Sequence, residues 1–190
     1  EGGKMNELGT SWHTYPQIYA LGHKYLADLL LDEVAVQEKI DGSQFSFAAF
    51  STYPISGGLR MRSKGAQLNI EAPEKMFSKA VDYVKTLLLR DGWTYRAEYL
   101  RSPKHNTLAY ERVPVNNLIL FDINDAEESY LPYDQVVKEG QRLGLETVPQ
   151  FFHGKLETAE KLRELLNTNS CLGGQKIEGV VIKNYSRFGL

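Results

Sequence analysis

The feature that most constrains the fold is a mixture of two hydrophobic periods that do not alternate strictly along the chain. Strand-like segments run over residues 33–39, 44–50 and 59–64, the second with Phe45, Phe47 and Ala49 on one parity, and residues 53–58 read as a turn. These three predict an antiparallel meander, in which Lys39-Ile40-Asp41-Gly42 joins two strands as a hairpin turn would. Helices are predicted within residues 15–31 after Gly22, over 133–143 and over 157–166. Another is expected from Pro73 to about Arg90, on the face of Met76, Phe77, Ala80, Val81, Val84 and Leu87. Strands are expected at 93–100, 118–124 and 177–184, with an extended stretch at 146–152. Helices placed irregularly between strands indicate an α+β fold rather than a doubly wound α/β one.

At 190 residues, 42% hydrophobic and 24% charged, the chain can bury one good-sized core. Glu1-Gly2-Gly3-Lys4 reads as a remnant appended before Met5, which leaves one domain over 5–190. The single cysteine, Cys171, excludes an internal disulfide framework, and no apolar run approaches the ~18 residues of a membrane span. A monomer in a reducing, cytoplasmic setting, with no membrane partner, is the expectation. His13, His23 and His153 make no metal-ligand spacing with Cys171, so zinc is not expected. The net charge of −2 argues against binding nucleic acid through bulk electrostatics. Any such surface must be local, and the candidates are the cluster of Arg60, Arg62 and Lys64 and the cluster around Lys104 and His105, each of which also reads as solvated surface.

Lys39-Ile40-Asp41-Gly42 alone is a weak signal, found by chance in about one unrelated chain of this length in twenty or thirty. A strand ending in an Asp-Gly turn accounts for it equally well, and a turn and a catalytic loop are not exclusive. Four further segments follow in order: Arg62-Ser63-Lys64-Gly65, Tyr95-Arg96-Ala97-Glu98-Tyr99-Leu100, Leu118-Ile119-Leu120-Phe121-Asp122-Ile123 and Lys176-Ile177-Glu178-Gly179-Val180-Val181-Ile182-Lys183. With Glu38-Lys39-Ile40-Asp41-Gly42-Ser43, they resemble the covalent nucleotidyltransferase superfamily of polynucleotide ligases and messenger-RNA capping enzymes. The resemblance covers nearly the whole chain from Tyr15 onward, and it is nearest to small phage-type RNA ligases.

That resemblance implies an adenylyltransferase core of antiparallel sheets flanked by helices, with an ATP cleft between the sheets. It implies Lys39 as the nucleophile that forms a lysyl-AMP, with Mg²⁺ or Mn²⁺, and RNA ends as the strands joined, DNA being the alternative. Glu38 is implied to accept from the adenine amino group and Ile40 to line the nucleotide site. Arg62 is implied to contact the nucleotide or a terminal phosphate, Glu98 the ribose, Phe121 the base and Glu178 the metal. Lys183, Asp41, Gly42, Lys64 and Asp122 take supporting places, and Arg60, Lys104 and His105 are candidate nucleic-acid contacts. A phage source would put the protein in the host cytoplasm.

Elementary chemistry fits these roles. A free lysine of pKa ~10.4 is about one-thousandth neutral at pH 7.4, a handicap of roughly 4 kcal/mol that a site must remove. In a regular strand Lys39 shares a face with Ala35 and Gln37, while Glu38 lies on the other with Val34 and Val36. Arg60, Arg62 and Lys64 alternate onto one face of theirs, and Glu98 lies with Thr94 and Arg96 on a mostly polar face, where an Arg96–Glu98 surface pair is the plainer reading. Phe121 alternates with Ile119 and Ile123, as a core phenylalanine would. Glu178 opens an otherwise apolar strand and needs a cationic partner. Lys183 falls on the opposite parity from Glu178 and would reach the same pocket only through a twist or bulge.

The superfamily carries a further lysine-bearing strand after the metal-side glutamate, which the residues up to Leu190 do not match. On that reading the chain is either a truncated core, impaired in self-adenylation, or one that does without that element. Two other readings of the same residues are a capping-type guanylyltransferase that uses GTP and a non-catalytic nucleotide- or RNA-binding scaffold.

Overall fold

The computed structural model describes Trp12 and residues 31–51 and 58–184. The helix expected within 15–31 and most of the turn at 53–58 lie outside them. The chain divides into two compact units, the first holding Trp12, residues 43–51, 58–101 and 114–147, the second residues 31–42, 102–113 and 148–184.

The first unit is built on a five-stranded sheet. Its strands are β2 (Ser43–Ala49), β3 (Leu59–Ser63), β4 (Thr94–Tyr99), β5 (Leu118–Asn124) and β6 (Glu146–Thr147), in the order β3-β2-β4-β5-β6. All neighbours are antiparallel except β5 and β6. Register brings Phe45, Phe47, Met61, Tyr95, Ala97, Tyr99, Leu118 and Leu120 onto one face, where Phe47 and Tyr95 stack with centroids 5.2 Å apart. Helices α1 (Ser78–Val84) and α2 (Tyr133–Leu143) close that core with Ala80, Val81, Val84, Val136 and Leu143. Each large side chain buried here contributes about 1.5–3 kcal/mol.

Helix α2 spans the residues its period predicts. Pro132 precedes it, Asp134 and Arg142 complement its dipole, and Gly144, at φ 69°, turns the chain out of it. Helix α1 stops earlier than expected. Its last turn tightens through Thr86 N–H to the Tyr83 carbonyl and Leu87 N–H to that of Val84. Leu87 and Leu89 then pack on the core while Leu88 is 82% exposed, so the apolar run past Lys85 follows a strand-like alternation.

The second unit holds a three-stranded sheet of β1 (Glu33–Lys39), β7 (Gln150–Lys155) and β8 (Gly179–Lys183), in the order β7-β1-β8, with α3 (Ala159–Leu165). Val34, Val36, Leu156 and Leu162 form its core. The expected meander is therefore corrected: β2 and β3 pair, but β1 pairs with β7 and β8 and makes no hairpin with β2. A middle strand buried from Val34 to Glu38 needs neighbours on both sides, and here they arrive from more than 100 residues downstream. The mixed sheets and few helices are those of an α+β fold. Among the described residues no helix is long and apolar enough to cross a membrane.

Candidate active site

Lys39 ends β1 opposite Gly179, the first residue of β8. Glu178 stands just before β8, in a segment the strand's parity does not govern, and its Oε1 lies 3.7 Å from Lys39 Nζ. Both side chains reach solvent, at 47% and 32%, so the pair contributes on the order of 1 kcal/mol or less. Lys183 lies opposite Ala35, which puts it on the face that Ala35, Gln37 and Lys39 share, and it is 3% exposed. No twist is needed: parity counted from Glu178 misleads because the strand begins at Gly179. On this face Gln37 and Gln150 oppose each other, and their buried Oε1 atoms find no hydrogen-bond donor.

Glu38 points to the opposite face of β1, as alternation predicts, and is 2% exposed. Its Oε2 accepts from Ser170 Oγ at 2.6 Å and its Oε1 from the Cys171 amide at 2.9 Å. A hydroxyl and a peptide N–H thus hold this buried carboxylate, which answers the desolvation that burial imposes. Ser170 carries no motif and the sequence reading missed it.

Ile40 and Asp41 are buried, and the Asp41 Oδ2 atom accepts the backbone N–H groups of Thr107 and Leu108 at 2.8 and 2.7 Å. Lys104 and His105 belong to the same loop, Lys104 exposed and His105 half-buried. Burial pushes the His105 imidazole below its usual range, against the pull of the Asp41 carboxylate.

Arg62, Glu98 and Phe121 belong to the five-stranded sheet, on the face opposite its aromatic core. Register aligns Arg62, Ser46, Arg96 and Asp122 in one row across four strands, with Gln44, Glu98 and Ile119 in the next and Arg60 on the other side, opposite Ala48. Arg96 and Asp122 are each 1% exposed, and Arg96 Nε donates to Asn124 Oδ1 at 3.2 Å. The alternative of an Arg96–Glu98 surface pair does not hold for Arg96, which is buried. The Arg62 guanidinium lies 5.8 Å from the Trp12 ring centroid, within cation–π range. Arg60 Nη1 donates to its neighbour's carbonyl, Leu59 O. Lys64 lies past the end of β3, exposed, and does not continue the arginine row as strand.

The alternation of Phe121 with Ile119 and Ile123, the alternative that would make it a core phenylalanine, is broken in the structure. The pairing of β4 with β5 shifts between Arg96 and Ala97, and Phe121 is the extra residue, so Ile119 pairs with Glu98 while Ile123 pairs with Tyr95 on the core face. Counted from Ile119, the bulge turns Phe121 toward the face of Glu98 and leaves it half-buried between buried Leu120 and Asp122.

Among the described residues no three His, Cys, Asp or Glu side chains gather as a metal cage. Glu178 is the available carboxylate beside Lys39, a donor set that suits an ion held mainly by phosphate oxygens and water.

A family model described as RNA ligase matches residues 32–189. Among solved structures, an apo form of a substituted Naegleria gruberi RNA ligase superposes with a TM-score of 0.66 at 17% identity, covering 93% of this chain and 53% of that one. A substituted form of the same enzyme with ATP and Mn gives 0.63 at 16% identity, covering 93% and 54%. A form with AMP and Mn gives 0.65 at 17% identity with the same coverage. The chain thus spans about half the length of these structures, and identity this low speaks for the fold. No curated protein matches.

Proposed function

Because the chain belongs to the RNA ligase family, we propose that it is an ATP-dependent RNA ligase that works through a covalent AMP on Lys39. The observation that carries this reading is a half-exposed lysine at the end of a buried strand, its amine 3.7 Å from Glu178, in the chain order of the family's segments. The neutral Nζ attacks the α-phosphorus of ATP, an N–P bond forms, and pyrophosphate leaves. AMP then passes to the 5′-phosphate of an RNA end, and a 3′-hydroxyl displaces it to form the phosphodiester. Chemistry of this kind depends on in-line positioning and charge stabilisation rather than on an acid–base triad.

Glu178 is the residue that would hold a divalent cation, which would neutralise charge on the triphosphate. Glu98 is assigned to the ribose hydroxyls, Phe121 to stacking on adenine and Arg62 to a phosphate. The bulge supports the Phe121 assignment, since it takes the ring off the core face. Lys183, on the lysine's own face, is assigned to the phosphates as a second cation. The forms of the Naegleria gruberi enzyme with ATP and Mn and with AMP and Mn support the choice of nucleotide and metal.

The test is to supply ATP and Mg²⁺ with RNA or with DNA strands bearing 5′-phosphate and 3′-hydroxyl ends, with parallel labelling from ATP and GTP. The reading expects sealed RNA and label from ATP. Label from GTP alone, or sealing confined to DNA, would overturn it.

A further inference from the structure

Lys39 is exposed in the middle of a buried stretch: Gln37 and Glu38 before it are each 2% exposed, and Ile40 and Asp41 after it 6% and 8%. A flexible side chain that must meet a phosphorus in line needs its backbone held on both sides. The residues that hold it converge on one loop, 102–113.

Four hydrogen bonds bind this loop to the Asp41-Gly42 turn. Besides the Thr107 and Leu108 amides on Asp41 Oδ2, the Asp41 amide donates to Tyr110 Oη at 2.9 Å and Asn106 Nδ2 donates to the Gly42 carbonyl at 2.8 Å. Tyr110 is 5% exposed, and burial pushes its phenol up to about 12, so it stays a neutral hydroxyl there.

The same loop grips the chain on the other side of Lys39. Glu111 N–H is shared between the carbonyls of Leu172 and Gly173 at 3.2 Å each, and Gln175 Nε2 donates to the Ala109 carbonyl at 2.6 Å. Gly173 sits at φ 76°, a backbone conformation that glycine adopts without strain, with the Glu111 side chain against it. The segment so gripped donates Ser170 Oγ and Cys171 N–H to Glu38 and runs on to Glu178. The residue before the lysine, the turn after it and the carboxylate that faces it are therefore all anchored, directly or through one strand of chain, to residues 102–113.

We infer that loop 102–113 is a positioning clamp for the nucleophile, with Tyr110 and Asn106 as positioning residues that aim Lys39 without touching the nucleotide. The inference rests on the ligase reading for its consequence and on the hydrogen bonds alone for its geometry. Tyr110→Phe leaves a buried Asp41 N–H without its acceptor, and Asn106→Ala, at a more exposed position, removes one bond with little risk to folding.

The test measures amide hydrogen exchange across residues 38–45 together with the kinetics of lysyl-AMP formation, in the wild-type chain and both variants. In each variant we expect the Asp41 region to exchange about tenfold faster, and kcat for AMP attachment to fall roughly tenfold while KM for ATP stays within about twofold. Unchanged exchange with unchanged kcat overturns the clamp, and so does a rise in KM at constant kcat, which would make the loop a nucleotide contact. If the wild type gains no AMP the ligase reading fails, and the exchange contrast then decides the clamp by itself.

Discussion

The two sheets treat buried charge in different ways. In the three-stranded sheet and its loops, the carboxylates of Glu38 and Asp41 are held by peptide N–H groups and a serine hydroxyl, and the lysine between them is left half exposed. In the five-stranded unit Asp122 Oδ1 also accepts a peptide N–H, that of Ile123, but two other buried charges are held by side chains. Arg96 binds Asn124, and Glu139, 5% exposed, gathers Arg90, Arg142 and the Tyr95 hydroxyl. Neutral donors fix a carboxylate in place without adding a competing cation, so the first arrangement keeps one amine available for reaction. The Glu139 network ties α2 to Tyr95 on the core face, whereas Arg96 and Asn124 lie on the face that carries Arg62 and Glu98. The proposed function assigns the chemistry to Lys39 and Glu178 in the first region and part of the nucleotide affinity to Phe121 in the second.

That division can be broken by substitution. Lys39→Ala abolishes AMP attachment altogether, and any residual adduct would move the nucleophile elsewhere. Glu178→Ala lowers kcat for attachment on the order of 100-fold with folding intact, checked by single-turnover kinetics and circular dichroism. Phe121→Ala, in the other region, weakens ATP by about 1–3 kcal/mol, roughly 5- to 150-fold in KM, yet leaves attachment at saturating ATP near the wild-type rate. A fall in that saturated rate would erase the distinction between the regions.

The remaining expected effect is on stability and leaves the chemistry untouched. Glu139→Gln costs about 1–3 kcal/mol of stability, read from urea unfolding, because charge-assisted bonds to two arginines are weakened. Desolvation raises the Glu139 pKa, but the bonds from Arg142, Tyr95 and Arg90 outweigh it and hold the carboxyl below its ordinary 4.5. A carboxyl depressed in the folded state lends stability that is full above the unfolded value and lost as pH falls through the folded one. The wild type should therefore lose stability below about pH 4.5 more steeply than Glu139→Gln does.

Local chemistry was legible where local rules decide. Strands β1 and β5 and helix α2 occupy the spans their periods predict, because apolar alternation, helix charge and a terminal glycine all act over a few residues. The partners of β1 were not legible. A hairpin at Asp41-Gly42 is the cheapest local solution, and only the burial of β1 on both sides, satisfied by β7 and β8, rules it out. The bulge at Phe121 escaped for a related reason, since an extra residue is defined by the neighbouring strand and not by its own. Of the candidate site residues, Lys39, Glu178, Arg62 and Glu98 were singled out by their order along the chain. Ser170, Tyr110 and Asn106 carry no periodic or motif signal, because what recruits them is the unpaired backbone and carboxylate of other residues.

The central claim is that Lys39 forms a covalent bond to AMP. Intact-mass measurement before and after ATP and Mg²⁺ tests it directly: the account predicts a gain of one AMP in the wild type and none in Lys39→Ala. An unchanged mass in the wild type, or an equal gain in Lys39→Ala, would contradict it.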